Sequence, residues 1–355
     1  MPSRDQFRRL RGRGSPHACL RRVFATKRVP GRQETSDAVI TCDIDVVSTS
    51  HVLVLGANGF AGTAIASHLA STGRPVLAYG RSPLAIPGVE SVQGSIEDTV
   101  LLREAISRCS QIVHAASLTT PGTSARDPSL EVVGNLLPLA RILECAEAFP
   151  DRTLVYLSSG GAIYGDLADG ASESTAVRPR SYYGAGKAAA EAMIHACTAT
   201  STWSASVLRP SNLYGPGQAT ARGFAIVPTL LGRALDGNMF TIWGDGSTVR
   251  DYCYIDDLVD AVEWVLRDES PPGFATYNVA SGSTASILQL VGLCERTCNR
   301  RIALSFMPAR GVDVPRVVLD TSALGRLGWH AKIDLEEGLR RTWERVLADH
   351  APQTR

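Results

Sequence analysis

Tyr183 and Lys187 stand four apart in the run Tyr182-Tyr183-Gly184-Ala185-Gly186-Lys187, which opens an alanine-rich stretch of helical character. On a helix that spacing puts a phenol and an ammonium on one face. A cation beside a phenol favours the phenolate, so Tyr183 is expected to have a lowered pKa and to act as a base toward a hydroxyl. Upstream, Ser158-Ser159-Gly160-Gly161-Ala162-Ile163-Tyr164-Gly165 follows the apolar run Thr153 to Leu157. Ser159 is the hydroxyl there best placed to polarise a reacting oxygen. A tyrosine and a lysine at this spacing are often an ordinary surface pair, so the assignment depends on the elements that position them.

Those elements begin with His51 to Leu55, a short continuous apolar run that suits a strand buried on both faces of a parallel sheet. It runs into Gly56-Ala57-Asn58-Gly59-Phe60-Ala61-Gly62, and helical periodicity follows from Thr63 to Ser71. Strand, glycine turn and helix in this order form a dinucleotide site: the chain turns sharply, the backbone approaches a pyrophosphate, and the helix N-terminus faces the anion. Gly56, Asn58, Gly59, Phe60 and Gly62 are therefore expected to hold a dinucleotide. A second strand is expected at Pro75 to Tyr79. Where a carboxylate would normally bind the adenosine ribose, the sequence has Gly80-Arg81. Arg81 would suit a 2′-phosphate, which admits NADP as well as NAD. A further strand, Ser110 to Ala115, leads into Ala116-Ser117; the small side chains of Ala115 and Ala116 would let the dinucleotide cross the strand ends. A helix is expected from about Glu131 to Phe149, and then the strand Thr153 to Leu157.

The bulk composition is compatible with one large α/β unit and excludes other classes. The formal charge of +1 gives no global field to recruit nucleic acid or an anionic membrane. No apolar stretch approaches the roughly 20 residues of a membrane helix. The eight cysteines lack C-x-x-C spacing, which reads as a reducing, cytoplasmic setting; Cys294 and Cys298 are expected to be buried thiols. The first 32 residues differ, with ten Lys or Arg against the single acid Asp5. Residues 1–49 are expected to be a disordered basic extension.

The glycine turn, the Ser-Ser-Gly strand end, the Tyr183/Lys187 pair, the run Leu208 to Gly217 (LRPSNLYGPG) and the run Trp243 to Asp257 (WGDGSTVRDYCYIDD) together resemble the NAD-dependent epimerase/dehydratase family of extended short-chain dehydrogenase/reductases. The similarity covers about residues 50 to 347. It implies a Rossmann-type doubly wound parallel α/β sheet, with an NAD(P)-binding domain over 50–210, a mainly substrate-binding lobe over 211–347 that sends segments back, and a tail over 348–355. It also implies a nucleotide-sugar substrate and a homodimer formed through two helices, one carrying Tyr183 and Lys187. By position, Asn212 would contact the sugar or its phosphate and Arg250 would clamp the diphosphate, for which a guanidinium fork is suited. Arg310 and Asp313 would face the nucleotide. An ion pair of Arg250 with Asp251 or Asp256 is the competing reading of that residue.

Within the family, the motif pattern is nearest to UDP-glucose 4-epimerase-like enzymes, which oxidise C4 transiently and return the hydride to the other face. Dehydratase relatives carry an Asp-Glu pair where this chain has Gly161 and Ala162, which disfavours dehydration. Epimerase relatives usually carry a Ser or Thr hydroxyl at one or both of the positions held by Gly160 and Ala162, with Ser159 as the nearest substitute. Ser95 also departs from the Asp that commonly holds the adenine. The alternatives are an NADP-linked nucleotide-sugar reductase or dehydrogenase, favoured by Arg81, and a non-catalytic dinucleotide-binding regulator.

Overall fold

The structure, a computed structural model, describes residues 51–166, 170–219, 225–267, 273–309 and 314–350. The basic extension 1–49, Arg310 and Asp313 lie outside the described residues. In chain order the strands are β1 (His51–Leu55), β2 (Val76–Gly80), β3 (Val89–Gln93), β4 (Cys109–His114), β5 (Thr153–Leu157), β6 (Ser204–Pro210) and β7 (Asn212–Tyr214). They continue as β8 (Phe240–Trp243), β9 (Val249–Tyr254), β10 (Phe274–Val279), β11 (Thr284–Ser286), β12 (Leu304–Met307) and β13 (Arg316–Val317).

Seven strands form one parallel sheet in the order β3-β2-β1-β4-β5-β6-β10. This is the doubly wound arrangement, and the winding reverses between β1 and β4, where such sheets open a ligand crevice beyond their carboxyl ends. In β1, Val52 and Val54 enter one core layer while Leu53 and Leu55 enter the other. Burial on both faces explains why the strand is apolar throughout and does not alternate. Residues 274–279 return from beyond β9 to pair with β6 at the sheet edge.

Beyond β6 the chain builds a smaller set of strands. β9 carries β7 and β13 in parallel and β11 antiparallel, while β8 pairs with β12. A closing helix, Leu335–His350, buries Leu335, Leu339 and Trp343. No described helix is long and apolar enough to cross a membrane.

Two local expectations are corrected. The helix expected across Glu131 to Phe149 is a helical turn Pro128–Glu131, a π-turn Val132–Leu136 and a helix Leu137–Leu143. Leu137 N–H donates to the carbonyl of Val132, five residues back, and the next residue, Pro138, has no N–H to continue an α ladder. The edge strand β3 was not expected, because only Val89 and Val92 in VESVQ are withdrawn from solvent and no apolar run announces it.

Candidate active site

At the end of β1, Gly56 takes φ +82°, and a Cβ there would lie 2.6 Å from the Ala116 Cα. Only glycine combines that backbone with so close an approach. Ala115 N–H donates to the Leu55 carbonyl at 3.0 Å, which aligns the ends of β1 and β4 at the point where the winding reverses. The helix Phe60–Ser71 starts from Gly59 with no side-chain cap, leaving its first N–H groups for an anion. A side chain at Gly62 would overlap the Gly56 carbonyl. Gly56, Gly59 and Gly62 thus form a tight strand–turn–helix junction closed against the end of β4 at Ala116. At the end of β2, the Asn58 carboxamide fills the space that a side chain at Gly80 would need. Arg81 is exposed beside it, and the strand end presents no carboxylate.

Tyr183 and Lys187 are carried by the helix Tyr182–Thr200, whose N-cap Ser181 accepts from Gly184 N–H at 3.1 Å. The Lys187 ammonium lies 5.7 Å from the Tyr183 ring centroid. It donates to the Leu157 carbonyl at 2.8 Å and to the Tyr156 hydroxyl at 3.2 Å, which pins it across the end of β5. Burial lowers Lys187 to about 8, opposed by Glu131 and then Glu191. The expected lowering of Tyr183 is not found: burial pushes its phenol up to about 12, opposed by a hydrogen bond with Ser159 and reinforced by Glu131. Burial outweighs the lysine because the ammonium is turned toward β5.

The two serines of the strand end divide. Ser158 is turned inward, donating to Glu191 at 2.5 Å, and Glu191 in turn holds Arg209 at 3.0 Å. Ser159 is the one that acts on Tyr183, lowering its phenol against the effect of burial. Gly160 cannot carry the hydroxyl usual in relatives, because a Cβ there would sit 2.8 Å from the Arg209 carbonyl and overlap Leu319. A Cβ at Gly161 would lie 3.2 Å from the Asn212 Oδ1 and 4.0 Å from the Ser159 Oγ. Asn212, at the start of β7, is thereby brought beside Ser159.

Arg250 lies on β9, opposite Ala285 of β11 and Val317 of β13, and its Nη1 donates to the Val249 carbonyl at 2.8 Å. The carboxylate of Asp251 points the other way, accepting from Ser211 Oγ at 2.8 Å and Gly282 N–H at 2.8 Å. Asp256 faces Arg341 at 3.6 Å. Each of the two acids thus has a partner of its own.

Sequence reasoning missed four side chains around the pair. Tyr156 and His114 come from β5 and β4, edge to face at 5.4 Å; burial, with Lys187 adding, lowers His114 to about 3 and keeps it neutral. Glu131 and Asn135 come from the helical turn and the π-turn that follows it. Sequence distance hid them: no local spacing links these segments to Tyr183.

The profile of the NAD dependent epimerase/dehydratase family matches residues 52–280. The UDP-glucose 4-epimerase of Mycolicibacterium smegmatis is 32% identical over 308 residues, covering 82% of this chain and 97% of that protein. The dTDP-glucose 4,6-dehydratase of Streptomyces griseus is 28% identical over 83% of this chain and 93% of its own length. Among solved structures, UDP-glucose 4-epimerase from Thermotoga maritima with UDP-glucose superposes with a TM-score of 0.78 at 28% identity, covering 84% of this chain and 99% of that one. The Thermus thermophilus UDP-glucose 4-epimerase in complex with NAD gives 0.77 at 28% identity, over 83% and 98%. With the parallel sheet, the glycine cradle and the Tyr183/Lys187 helix in place, the chain belongs to the NAD-dependent epimerase/dehydratase family.

Proposed function

We propose that the protein is a nucleotide-sugar 4-epimerase of the UDP-glucose/UDP-galactose type, working with NAD. The observation that carries this reading is that Ser159 and Asn212 meet beside Gly161 while Ser159 acts on Tyr183, which shares a helix with Lys187, with no acid at Gly161 or Ala162 to eliminate water. Gly56, Asn58, Gly59, Phe60, Gly62, Ala115 and Ala116 form a cradle that fits a dinucleotide. Bound NAD supplies the hydride acceptor and donor for C4 and a positive ring that favours the Tyr183 phenolate. Tyr183 takes the C4 hydroxyl proton and returns it, and Lys187 holds positive charge behind it. The Ser159 hydroxyl, which lowers the Tyr183 phenol, polarises the same sugar oxygen. Asn212 orients the sugar end, and Arg250 holds the diphosphate. Val132, Val133 and Leu137 are exposed on a segment packed against the Tyr182–Thr200 helix, and a second copy would cover them in a homodimer.

One observation favours a second reading. With Asn58 over Gly80 and Arg81 beside it, the ribose end presents an amide and a cation where NAD enzymes place an acid. That arrangement suits NADP and a reductase of a nucleotide sugar. Incubation with UDP-glucose, UDP-galactose and their N-acetyl forms, with trace NAD or NADP and no reductant, separates the two. The C4 configuration followed by NMR should invert without accumulation of reduced cofactor. Absence of any inversion would remove the epimerase reading.

A further inference from the structure

The pair is flanked by a carboxylate that the proposed chemistry does not use. Glu131 is 4% exposed and ends the helical turn just before the π-turn. Its carboxylate accepts from the Thr119 hydroxyl at 2.5 Å and from the Asn135 amide at 2.7 Å. Asn135 also donates to Thr119 Oγ1 at 2.7 Å, so the three groups brace one another. Glu131 rests against the catalytic helix at Gly186, where any side chain would overlap its carboxylate. Gly186 lies between Tyr183 and Lys187 in sequence, and its missing side chain makes the space that Glu131 fills.

A buried carboxylate is costly unless hydrogen bonds and an opposite charge compensate it. The groups around Lys187 show which charge is available. Its own helix supplies Tyr183 and Glu191, β5 supplies Tyr156, β4 supplies the neutral His114, and the helical turn Pro128–Glu131 supplies Glu131. Glu191 is already matched by Arg209, which grips both its oxygens. The hydrogen-bond partners of Glu131 among the described residues are neutral donors.

We propose that Glu131 is a positioning residue for the Tyr183–Lys187 pair, the counter-charge that keeps the buried ammonium protonated against the phenol. This rests on the reading of that pair as catalytic. Of the charges acting on Lys187, Glu131 opposes the effect of burial most, ahead of Glu191. It also pushes the Tyr183 phenol up. Removing its charge therefore lowers both groups, because a lost anion weakens the ammonium and eases the phenolate.

The chain holds three lysines, Lys27, Lys187 and Lys332, which makes the titration readable. The full-length protein labelled with 13C at the lysine Cε is titrated by NMR without added ligand, and Lys187 is assigned by the resonance lost in K187M. In E131Q the Lys187 midpoint should fall by roughly one pH unit, and in E131D by less in the same direction, while the exposed Lys332 stays put. A Lys187 midpoint that is the same in E131Q as in the wild type overturns the proposal. If E131Q does not fold, an unmoved midpoint in E131D does so. The pair itself is tested separately: turnover of UDP-galactose retained in Y183F would refute its catalytic role without moving the lysine titration, whereas an unmoved titration with an inactive Y183F would refute Glu131 alone.

Discussion

Ser159 and Asn212 converge on Gly161, where a Cβ would lie 4.0 Å from the Ser159 Oγ and 3.2 Å from the Asn212 Oδ1, although the neighbouring position, Gly160, is where relatives usually place such a hydroxyl. Ser159 also holds the Tyr183 phenol lower than burial alone would leave it. Ser159→Ala should therefore cut kcat by roughly 10²-fold to 10³-fold and move the acidic limb of the pH–rate profile to higher pH. Steady-state kinetics across pH checks both, and an unmoved acidic limb would detach Ser159 from the base.

Gly160→Ser, the substitution that would rebuild the relatives' motif, should not restore anything. Its Cβ would overlap Leu319 and crowd the Arg209 carbonyl, in a part of the core with no slack. We expect a loss of about 1–3 kcal/mol, read as a lowered denaturation midpoint, with partial recovery when Leu319→Ala is added.

Lys187 sets the alkaline side of the profile. Its ammonium, lowered to about 8 by burial, supplies positive charge only while protonated. In the NAD-bound enzyme, where the positive ring favours the Tyr183 phenolate, activity should fall as pH rises through about 8. The alkaline limb of kcat/KM, measured between neutrality and mild alkali with stability controls, checks this; a flat profile to well above that pH would contradict it.

Much of this was legible in the residues, and the failures have physical causes. The switch from the apolar run His51 to Leu55 to helical periodicity after Gly62 marks the cradle, because strand, turn and helix impose different periods. The Tyr183/Lys187 spacing places both side chains on one helix, Tyr182–Thr200, for the same reason. Nothing local separates Ser158 from Ser159; the distinction comes from Glu191, on a helix that follows in sequence and packs behind β5. Pro138 was visible, but the π-turn it accompanies brings Glu131 and Asn135 to the pair only through tertiary packing. Burial likewise reversed the expected direction for Tyr183, since spacing predicts proximity and not desolvation.

Glu191 and Arg209 form the buried ion pair beneath the strand end, with Arg209 also donating to the Tyr164 hydroxyl at 2.8 Å. Removing one partner leaves an unmatched buried charge. Arg209→Met should cost about 3–5 kcal/mol, and the double replacement Glu191→Leu with Arg209→Met should cost less than the two single changes summed. Chemical denaturation of the four proteins in a double-mutant cycle checks the coupling.

The most direct test of the epimerase account uses UDP-galactose carrying deuterium at C4, with NAD and no reductant. The account predicts UDP-glucose that keeps the label at C4, with no net reduced cofactor. Loss of the label from C4, or no UDP-glucose at all, would contradict it.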